Sequence, residues 1–349
     1  MLKVLIISIF ILFIYGICIF GEKLTDIHDY FKAPAVLMDN NHLCIWDQPQ
    51  SKIRIYSIKG FKKIAEFGKK GQGPGEFIGI SNVSMNKDHI FVSCFPKVCI
   101  FAKDGKLIKE IKGPTDAGGF IPFGEKFIGI SFPYSKPNEK KGKKLFSLYD
   151  SQLRKLKDVF FTEINKILIY DDNKQIVNWY NGCNKAYVYN DRLFIPSTDK
   201  GFNFFIFDHR GNKLYEIKKN YVKRNVTEKD KIRKIEEAKN SWGEARWSQF
   251  ISMYEIRLPK FYPAYANFII DNEKIYVFMY PKEKIYEISI LSLKGKILAQ
   301  KEIPVLETPG CIESGRVAIK NGRLYYMVEN EKTDGWELHE INIDGDAKG

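Results

Sequence analysis

The sequence has few residues of the kinds that carry common catalytic and metal chemistry. Among its 349 residues are six cysteines and five histidines, and no two histidines have the spacing of metal ligands. A Gly-x-Ser-x-Gly nucleophile motif is absent, and so is the Gly-Lys-Ser/Thr ending of a phosphate-binding loop. The net charge is +13, but no nucleic-acid-binding motif accompanies it. We therefore interpret the excess lysine as solvated surface and expect no nucleic-acid partner.

The cysteine content is too low for a disulfide framework. Beyond residue 21 the chain has five cysteines, an odd number, and their spacing is not that of a zinc site: Cys44, Cys94, Cys99, Cys183 and Cys311. Cys94 and Cys99 flank a short loop between two predicted strands, which makes them candidates for a hairpin disulfide. For most of the five, a small buried hydrophobic side chain is the simpler interpretation.

The one long apolar run lies at the N-terminus. Lys3 is followed by uncharged residues 4–20 and then by Gly21-Glu22-Lys23. This pattern predicts a signal peptide or membrane anchor over residues 1–21, with the rest of the protein in the periplasm or at the cell surface. Cleavage, lipidation at Cys18 and retention as an anchor remain open alternatives. We expect contact with a membrane only through this segment.

What the sequence has in abundance is a repeated strand-turn-strand pattern. Ile53–Ile58 leads through Gly60 to Lys63–Phe67, and similar pairs recur at 98–111, 204–217 and 285–299. Such repetition indicates a radial repeat fold. Six units of short apolar strands are recognisable, at 34–67, 80–111, 120–161, 185–218, 266–303 and 316–343. They predict an all-β, six-bladed β-propeller over residues 22–349. The last unit has only three strands, so we expect Lys23–Tyr30 to supply its outer strand.

A glycine-rich linker joins the first two units. It reads Phe67-Gly68-Lys69-Lys70-Gly71-Gln72-Gly73-Pro74-Gly75-Glu76-Phe77. This stretch resembles the linker of NHL-type six-bladed β-propellers of exported bacterial proteins, and Ile100-Phe101-Ala102-Lys103-Asp104-Gly105-Lys106 resembles the turn of their repeat. The resemblance implies the same propeller architecture. We interpret Gly71, Gly73, Pro74, Gly75 and Glu76 as a structural linker, in which glycines permit positive φ and Glu76 accepts backbone hydrogen bonds.

Two connections are much longer than the others, at residues 162–184 and 219–265. Both connect an outer strand to the next inner strand, and in a propeller all such connections lie on one face. We expect both to enlarge the rim around the channel mouth. Thr227-Glu228-Lys229-Asp230 resembles a helix capping box. The residues that follow it at helical spacing predict about four turns packed on the propeller: Ile232, Ile235, Lys239 and Trp242.

The two insertions are rich in aromatic and basic residues, which can grip a ligand or anchor a helix. The ligand-binding candidates are Trp179, Tyr180, Arg233, Trp242, Arg246, Trp247 and Tyr262. Lys229, Arg233, Lys234 and Arg246 would favour anions. The sequence therefore predicts a monomeric binding module without a cofactor, which recognises a peptide, glycan or envelope protein over the channel.

The alternative is a metal-dependent hydrolase, lactonase or lyase. Some six-bladed propellers are calcium-dependent lactonases with oxygen ligands at the channel mouth, and oxygen ligands suit calcium. The candidate ligands here are Asn82, Asp171, Asp172, Asn181, Asn184, Asn267 and Glu313. No spacing makes these side chains converge, and no catalytic residue is identified. We expect a binding role rather than an enzymatic one.

Overall fold

The repeated apolar strands form six antiparallel sheets of four strands each. The computed structural model describes residues 21–345 except 30, 135, 137, 138, 140, 166, 167, 172, 173, 179–182, 184, 199, 200, 309, 331 and 334, and the side chains of 165, 168–171, 174, 178 and 240–242. The six-bladed β-propeller expected from the sequence is confirmed.

The first three blades follow one another closely along the chain. After an N-terminal strand β1 (Glu22–Ile27), blade 1 contains β2 (Pro34–Met38), β3 (His42–Asp47), β4 (Lys52–Ser57) and β5 (Lys63–Phe67). Blade 2 contains β6 (Ile80–Met85), β7 (His89–Cys94), β8 (Lys97–Ala102) and β9 (Leu107–Lys112). Blade 3 contains β10 (Ala117–Phe123), β11 (Lys126–Ser131), β12 (Lys141–Tyr149) and β13 (Lys155–Asn165).

The last three blades are separated by the two insertions. The first insertion forms β14 (Leu168–Asp171) and β15 (Lys174–Asn178), and blade 4 contains β16 (Tyr187–Tyr189), β17 (Arg192–Pro196), β18 (Phe202–Asp208) and β19 (Lys213–Lys219). The second insertion forms α1 (Glu228–Trp242), α2 (Glu244–Met253) and β20 (Tyr254–Arg257). Blade 5 contains β21 (Asn267–Asp271), β22 (Lys274–Phe278), β23 (Ile285–Ser292) and β24 (Ile297–Pro304), and blade 6 contains β25 (Ala318–Lys320), β26 (Arg323–Asn330) and β27 (Gly335–Asn342).

The N-terminal strand closes the ring, as predicted. β1 pairs antiparallel with β27 from Glu22 opposite Glu340 to Ile27 opposite Trp336. The indole Nε1 of Trp336 donates to the carbonyl of Phe31 at 3.2 Å, and the two rings meet edge to face. Blade 6 is thus built from an N-terminal and a C-terminal strand. If β1 separated from β27, buried side chains of both strands would be exposed to solvent.

The core lies between neighbouring blades. Ile53 and Ile55 of blade 1 pack against Ile80, Val92 and Phe101 of blade 2, and each of these five side chains is buried. A strand between two blades is covered on both faces, which is why strands such as β18 are apolar without alternation.

The glycine-rich linker is held by its own glutamate. The backbone N–H of Gly73 donates to the carboxylate of Glu76 at 2.9 Å, which confirms the predicted role of Glu76. Gly75 has a positive φ of 70°. Gly71 and Gly73 do not have positive φ, so the prediction was wrong for them. They are needed for space instead, because a Cβ at Gly71 would lie 2.0 Å from Glu76 Oε2.

The densest run of lysines, at residues 140–144, follows a segment rich in Pro and Asn that predicts a loop, but its described part begins strand β12. The strand directs Lys144 inward, where the side chain is 5% exposed and its Nζ lies 5.3 Å from the ring centroid of Phe146. Burial lowers the pKa of Lys144 to about 8, because a charged amine is poorly solvated there.

Candidate functional site

The two insertions meet and form a sheet of their own. β15 of the first insertion pairs with β14 on one side and with β20 of the second insertion on the other. The β15–β20 pairing is parallel and joins Gln175 to Tyr254 and Asn178 to Arg257. Both long connections therefore lie on the same face of the propeller, as predicted. We call this the insertion-bearing face.

The two ends of the second insertion are tied together where it leaves the propeller. The N–H of Val226 donates to the carbonyl of Lys260 at 3.0 Å, and the N–H of Tyr262 donates to the carbonyl of Arg224 at 2.9 Å. Across this neck, the Arg224 guanidinium lies over the Tyr262 ring, 4.1 Å from its centroid. Tyr262 also packs against the ring of Tyr280, with the two ring centroids 4.9 Å apart. Tyr262 is consequently only 4% exposed.

Helix α1 begins at the predicted capping box. The N–H of Asp230 donates to Thr227 Oγ1 at 3.2 Å, and the N–H of Thr227 donates to the Asp230 carboxylate at 2.9 Å. Burial opposes ionisation of Asp230, but hydrogen bonds, chiefly from Thr227, outweigh it and lower the pKa of the Asp230 carboxyl. The cap therefore remains charged and complements the positive end of the helix dipole.

The helix packs with part of the predicted face, because Ile235 and Lys239 are partly buried and Ala238 beside them is buried. Ile232 is 56% exposed, whereas Arg233, Lys234 and Glu237 are half-buried and Ala238 is buried. Glu237 is among the charges that raise the pKa of Tyr286, after burial and the neighbouring carboxylate of Glu313. Within α1 itself, Lys234 Nζ lies 3.1 Å from a Glu237 oxygen.

The remaining residues that were predicted to contact a ligand differ in their surroundings. Trp179 and Tyr180 lie outside the described residues, as does the side chain of Trp242, although its backbone is in α1. Trp247 is 4% exposed and stacks on Phe250 with centroids 6.0 Å apart, so the packing of α2 uses its ring. Arg246 is exposed on α2.

The predicted oxygen ligands at the channel mouth are engaged in structural hydrogen bonds where they are described. Asn82 donates to the carbonyl of Phe120 at 3.2 Å, and Asn267 donates to the carbonyl of Ile312 at 2.8 Å. The first bond joins an inner strand to inner strand β10 of the next blade, and the second joins an inner strand to the connection before β25. Glu313 accepts the Tyr286 hydroxyl at 2.8 Å. Among the residues that the structure describes, no three His, Cys, Asp or Glu side chains are placed so that they could hold a metal ion.

All five cysteines of the propeller are buried thiols in this structure. The Sγ atoms of Cys94 and Cys99 are 3.9 Å apart on adjacent strands, so the two candidates for a hairpin disulfide are neighbours. Cys99 also donates to Glu110 at 3.2 Å, and Glu110 accepts the N–H of linker residue Gly75 at 2.9 Å. The pair therefore belongs to the network that fixes the linker.

A cleft runs along the start of the second insertion. It consists of three adjoining cavities with volumes of about 680, 450 and 570 Å³. Tyr221 and Met279 line both the first and the second cavity, while Arg224 and Lys282 line both the second and the third. We call this continuous space the insertion cleft. Its lining includes outer strand β24, so it lies toward the rim and not over the channel, where we had expected the ligand.

Three of the residues that line or support the insertion cleft were predicted from the sequence: Lys229, Arg233 and Tyr262. Arg224 was not among the predicted residues. Arg224 lies three residues before the start of the capping box, and this position is the only local signal. Its aromatic partner is distant in sequence, so no spacing rule connects Arg224 with Tyr262.

Comparison with known proteins agrees with this architecture. A family described as TolB-like 6-blade propeller-like matches residues 22–112, which span the closing strand and the first two blades. The protein is a six-bladed β-propeller. The NHL-type resemblance stays a prediction, because the matching family is of the TolB-like kind. The sequence matches none of the curated proteins.

Solved propeller structures resemble the chain in shape with little sequence identity. A candidate exported protein of Bacteroides fragilis has a TM-score of 0.54 and 13% identity, covering 93% of this chain and 94% of its own. A protein of unknown function from Bacteroides caccae has a TM-score of 0.39 and 12% identity, covering 88% and 92%. BamB from Moraxella catarrhalis has a TM-score of 0.36 and 12% identity, covering 88% and 71%. The likeness to the Bacteroides fragilis protein, at 13% identity, shows a shared fold and nothing further.

Within the described residues, neither helix has the length and apolar character needed to cross a membrane.

Proposed function

We propose that this propeller is an exported module that binds a polypeptide, either a peptide or an envelope protein, in the insertion cleft. The observation that carries the proposal is the cleft itself. It is a continuous trough bounded by the insertion neck and by blades 4 and 5. Loops that are enlarged on one face of a rigid repeat scaffold are where such folds commonly place their binding surfaces.

The lining favours a polypeptide over a glycan. Sugar rings stack on exposed aromatic faces, but Tyr262 is covered by Arg224 on one side and packs on Tyr280. The first cavity is lined by aliphatic side chains such as Ile288 and Ile297 and by Phe202 and Tyr221, interspersed with polar ones. This mixture suits the alternating side chains of an extended chain.

Export is part of the proposal, and its support is the sequence. The uncharged segment 4–20 after Lys3 is of the kind that directs a protein out of the cytoplasm. A protein with this segment would meet its partner in the envelope.

The test is capture of a polypeptide from an envelope extract by the immobilised propeller. Gln300 is an exposed residue of outer strand β24 and lines the insertion cleft. Gln300→Trp should therefore block the cleft, because the larger side chain would occupy it. The matched control is Lys109→Trp, at an exposed position of outer strand β9 in blade 2. We expect Gln300→Trp to lose the captured species and Lys109→Trp to retain it, with both variants melting like the unmodified protein.

Treatment of the extract identifies the class of ligand. Proteolysis of the extract should abolish capture, whereas periodate oxidation of its glycans should not. Capture that survives proteolysis and is lost after periodate would assign the cleft to a glycan. If the two Trp variants captured equal amounts of the ligand, the insertion cleft would not be the binding surface.

A further inference from the structure

The wall of the insertion cleft near the start of α1 has an excess of positive charge. Arg224, Lys229 and Lys284 line this third cavity, and none of them forms an ion pair within the described part of the chain. Glu283 is the acid on this wall that also lacks an ion pair there. Unpaired cations around a concave surface attract anionic ligands, because the low-dielectric walls of a cleft concentrate the field.

Other charged residues in the lining neutralise one another. Asp230 accepts hydrogen bonds from Thr227 and lies 3.4 Å from the Arg233 guanidinium. Lys282 pairs with Glu287. These acids are therefore engaged and do not cancel the three unpaired cations.

Arg224 is held in a fixed position without an acceptor for its guanidinium. The group is stacked on Tyr262, and its Nη2 is buried with no hydrogen-bond partner among the described residues. A guanidinium that is partly desolvated and unpaired gains free energy when an acceptor reaches it from a cavity that it lines. A guanidinium presents two parallel N–H groups, and a carboxylate is the side-chain group that matches this geometry.

The shape of the cleft adds a second requirement. The cation-lined cavity continues through the neck into the larger cavity lined by Met279, Ile288 and Ile297. A small free anion would fill only one end. A chain that is acidic at one point and apolar nearby would use the whole length.

We infer that the insertion cleft receives an extended acidic segment of a polypeptide, with one of its carboxylates held by Arg224. This inference rests on the proposed function and specifies the ligand of the same cleft. The net charge of +13 supports it, because a basic protein attracts acidic partners over long range.

The test uses a fluorescein-labelled peptide of alternating Glu and Val and a second one of alternating Gln and Val, with binding followed by fluorescence anisotropy. The variants are Arg224→Gln, which removes the charge, and Arg224→Lys, which keeps the charge without the paired N–H groups. The control is Arg210→Gln, which removes the same charge from the exposed turn between β18 and β19.

We expect the Glu peptide to bind at least about tenfold more tightly than the Gln peptide, with affinity falling as salt rises. Arg224→Gln should weaken binding of the Glu peptide by about ten- to hundredfold, the usual worth of a charge-assisted hydrogen-bonded pair. Arg224→Lys should have an intermediate effect. Arg210→Gln should change neither peptide, and Arg224→Gln should not change the Gln peptide.

Equal binding of the two peptides to the unmodified protein would overturn the inference, and so would failure of both to bind. If Arg224→Gln still bound the Glu peptide normally, the carboxylate would not be held by Arg224. Preference for vesicles containing phosphatidylglycerol over the Glu peptide would assign the cations to a lipid surface. The proposed function fails separately, through the comparison of the Gln300→Trp and Lys109→Trp variants in envelope capture.

Discussion

Removing the N-terminal strand should unfold the whole propeller and not only its edge. Ile27 and Phe31 are 2% and 1% exposed and pack against Trp336 and Leu338 of the last strand. Truncating a buried Ile or Phe to Ala typically costs about 2–5 kcal/mol. Deletion of residues 22–31 removes both side chains and the hydrogen bonds of β1, so its cost is about 7 kcal/mol or more. That is comparable to the entire stability of an ordinary domain, about 5–15 kcal/mol.

Single substitutions keep this prediction measurable where the deletion does not fold. At about 2 cal/mol/K per residue, a chain of 349 residues has an unfolding entropy of about 0.7 kcal/mol/K. Ile27→Ala, at about 3 kcal/mol, should therefore lower Tm by about 4 °C in calorimetry. The matched control is Ile108→Ala in outer strand β9, where the side chain is 52% exposed and the expected change is below about 0.5 kcal/mol.

The result that would refute the reasoning is a deletion variant that melts like the intact protein. Equal Tm changes for Ile27→Ala and Ile108→Ala would lead to the same conclusion. A deletion variant that loses only a small, separate transition would show that β1 and β27 form a local unit, and that ring closure does not couple the blades.

Two further predictions concern acid and the linker. Hydrogen bonds from Lys23 and then His339 lower the pKa of Glu337 from 4.5 to about 2. The stabilisation that results is complete above pH 4.5 and should be lost as pH falls toward 2. After solvent screening, the loss in the free energy of unfolding should be about 1 kcal/mol. Glu337→Gln should flatten this part of a plot of Tm against pH. Gly68→Ala should destabilise by more than about 2 kcal/mol in urea unfolding, because a Cβ there would lie 2.3 Å from the Phe77 ring at a φ of 86°. Gly60→Ala, with φ of 78° and no neighbour within 4 Å, should cost only about 1 kcal/mol, and equal costs for the two would disprove the steric argument.

The blades were predictable because their signals are local. A strand such as Lys63–Phe67 is bounded by turn residues, and its partner is the preceding strand in the chain. Closure by the N-terminal strand followed from counting, since three strands in the last unit leave an edge that needs a fourth. The start of α1 at Thr227 was also local, because a capping box is contained within four residues.

The insertion sheet could not be predicted, since its pairing has no local signature. β15 and β20 belong to different insertions, and their parallel pairing depends on both connections being on one face. The predicted face of α1 was right only in part. Periodicity identified Ile232 as a packing residue, but its side chain is 56% exposed, whereas Ile235 is partly buried. A hydrophobic pattern predicts the buried face of a helix only when the surface that it covers is apolar.

The position of Arg224 follows from the neck of the insertion and not from the helix beyond it. The two backbone hydrogen bonds that tie Arg224 and Val226 to Tyr262 and Lys260 are formed before α1 begins. The far end of the insertion is fixed separately by the pairing of β20 with β15. Because the insertion is held at both places, the backbone at Arg224 does not depend on the exposed side of α1 for its position. Recognition of a carboxylate at Arg224 is thereby separated from whatever the exposed side of α1 contacts, and the two can be changed independently.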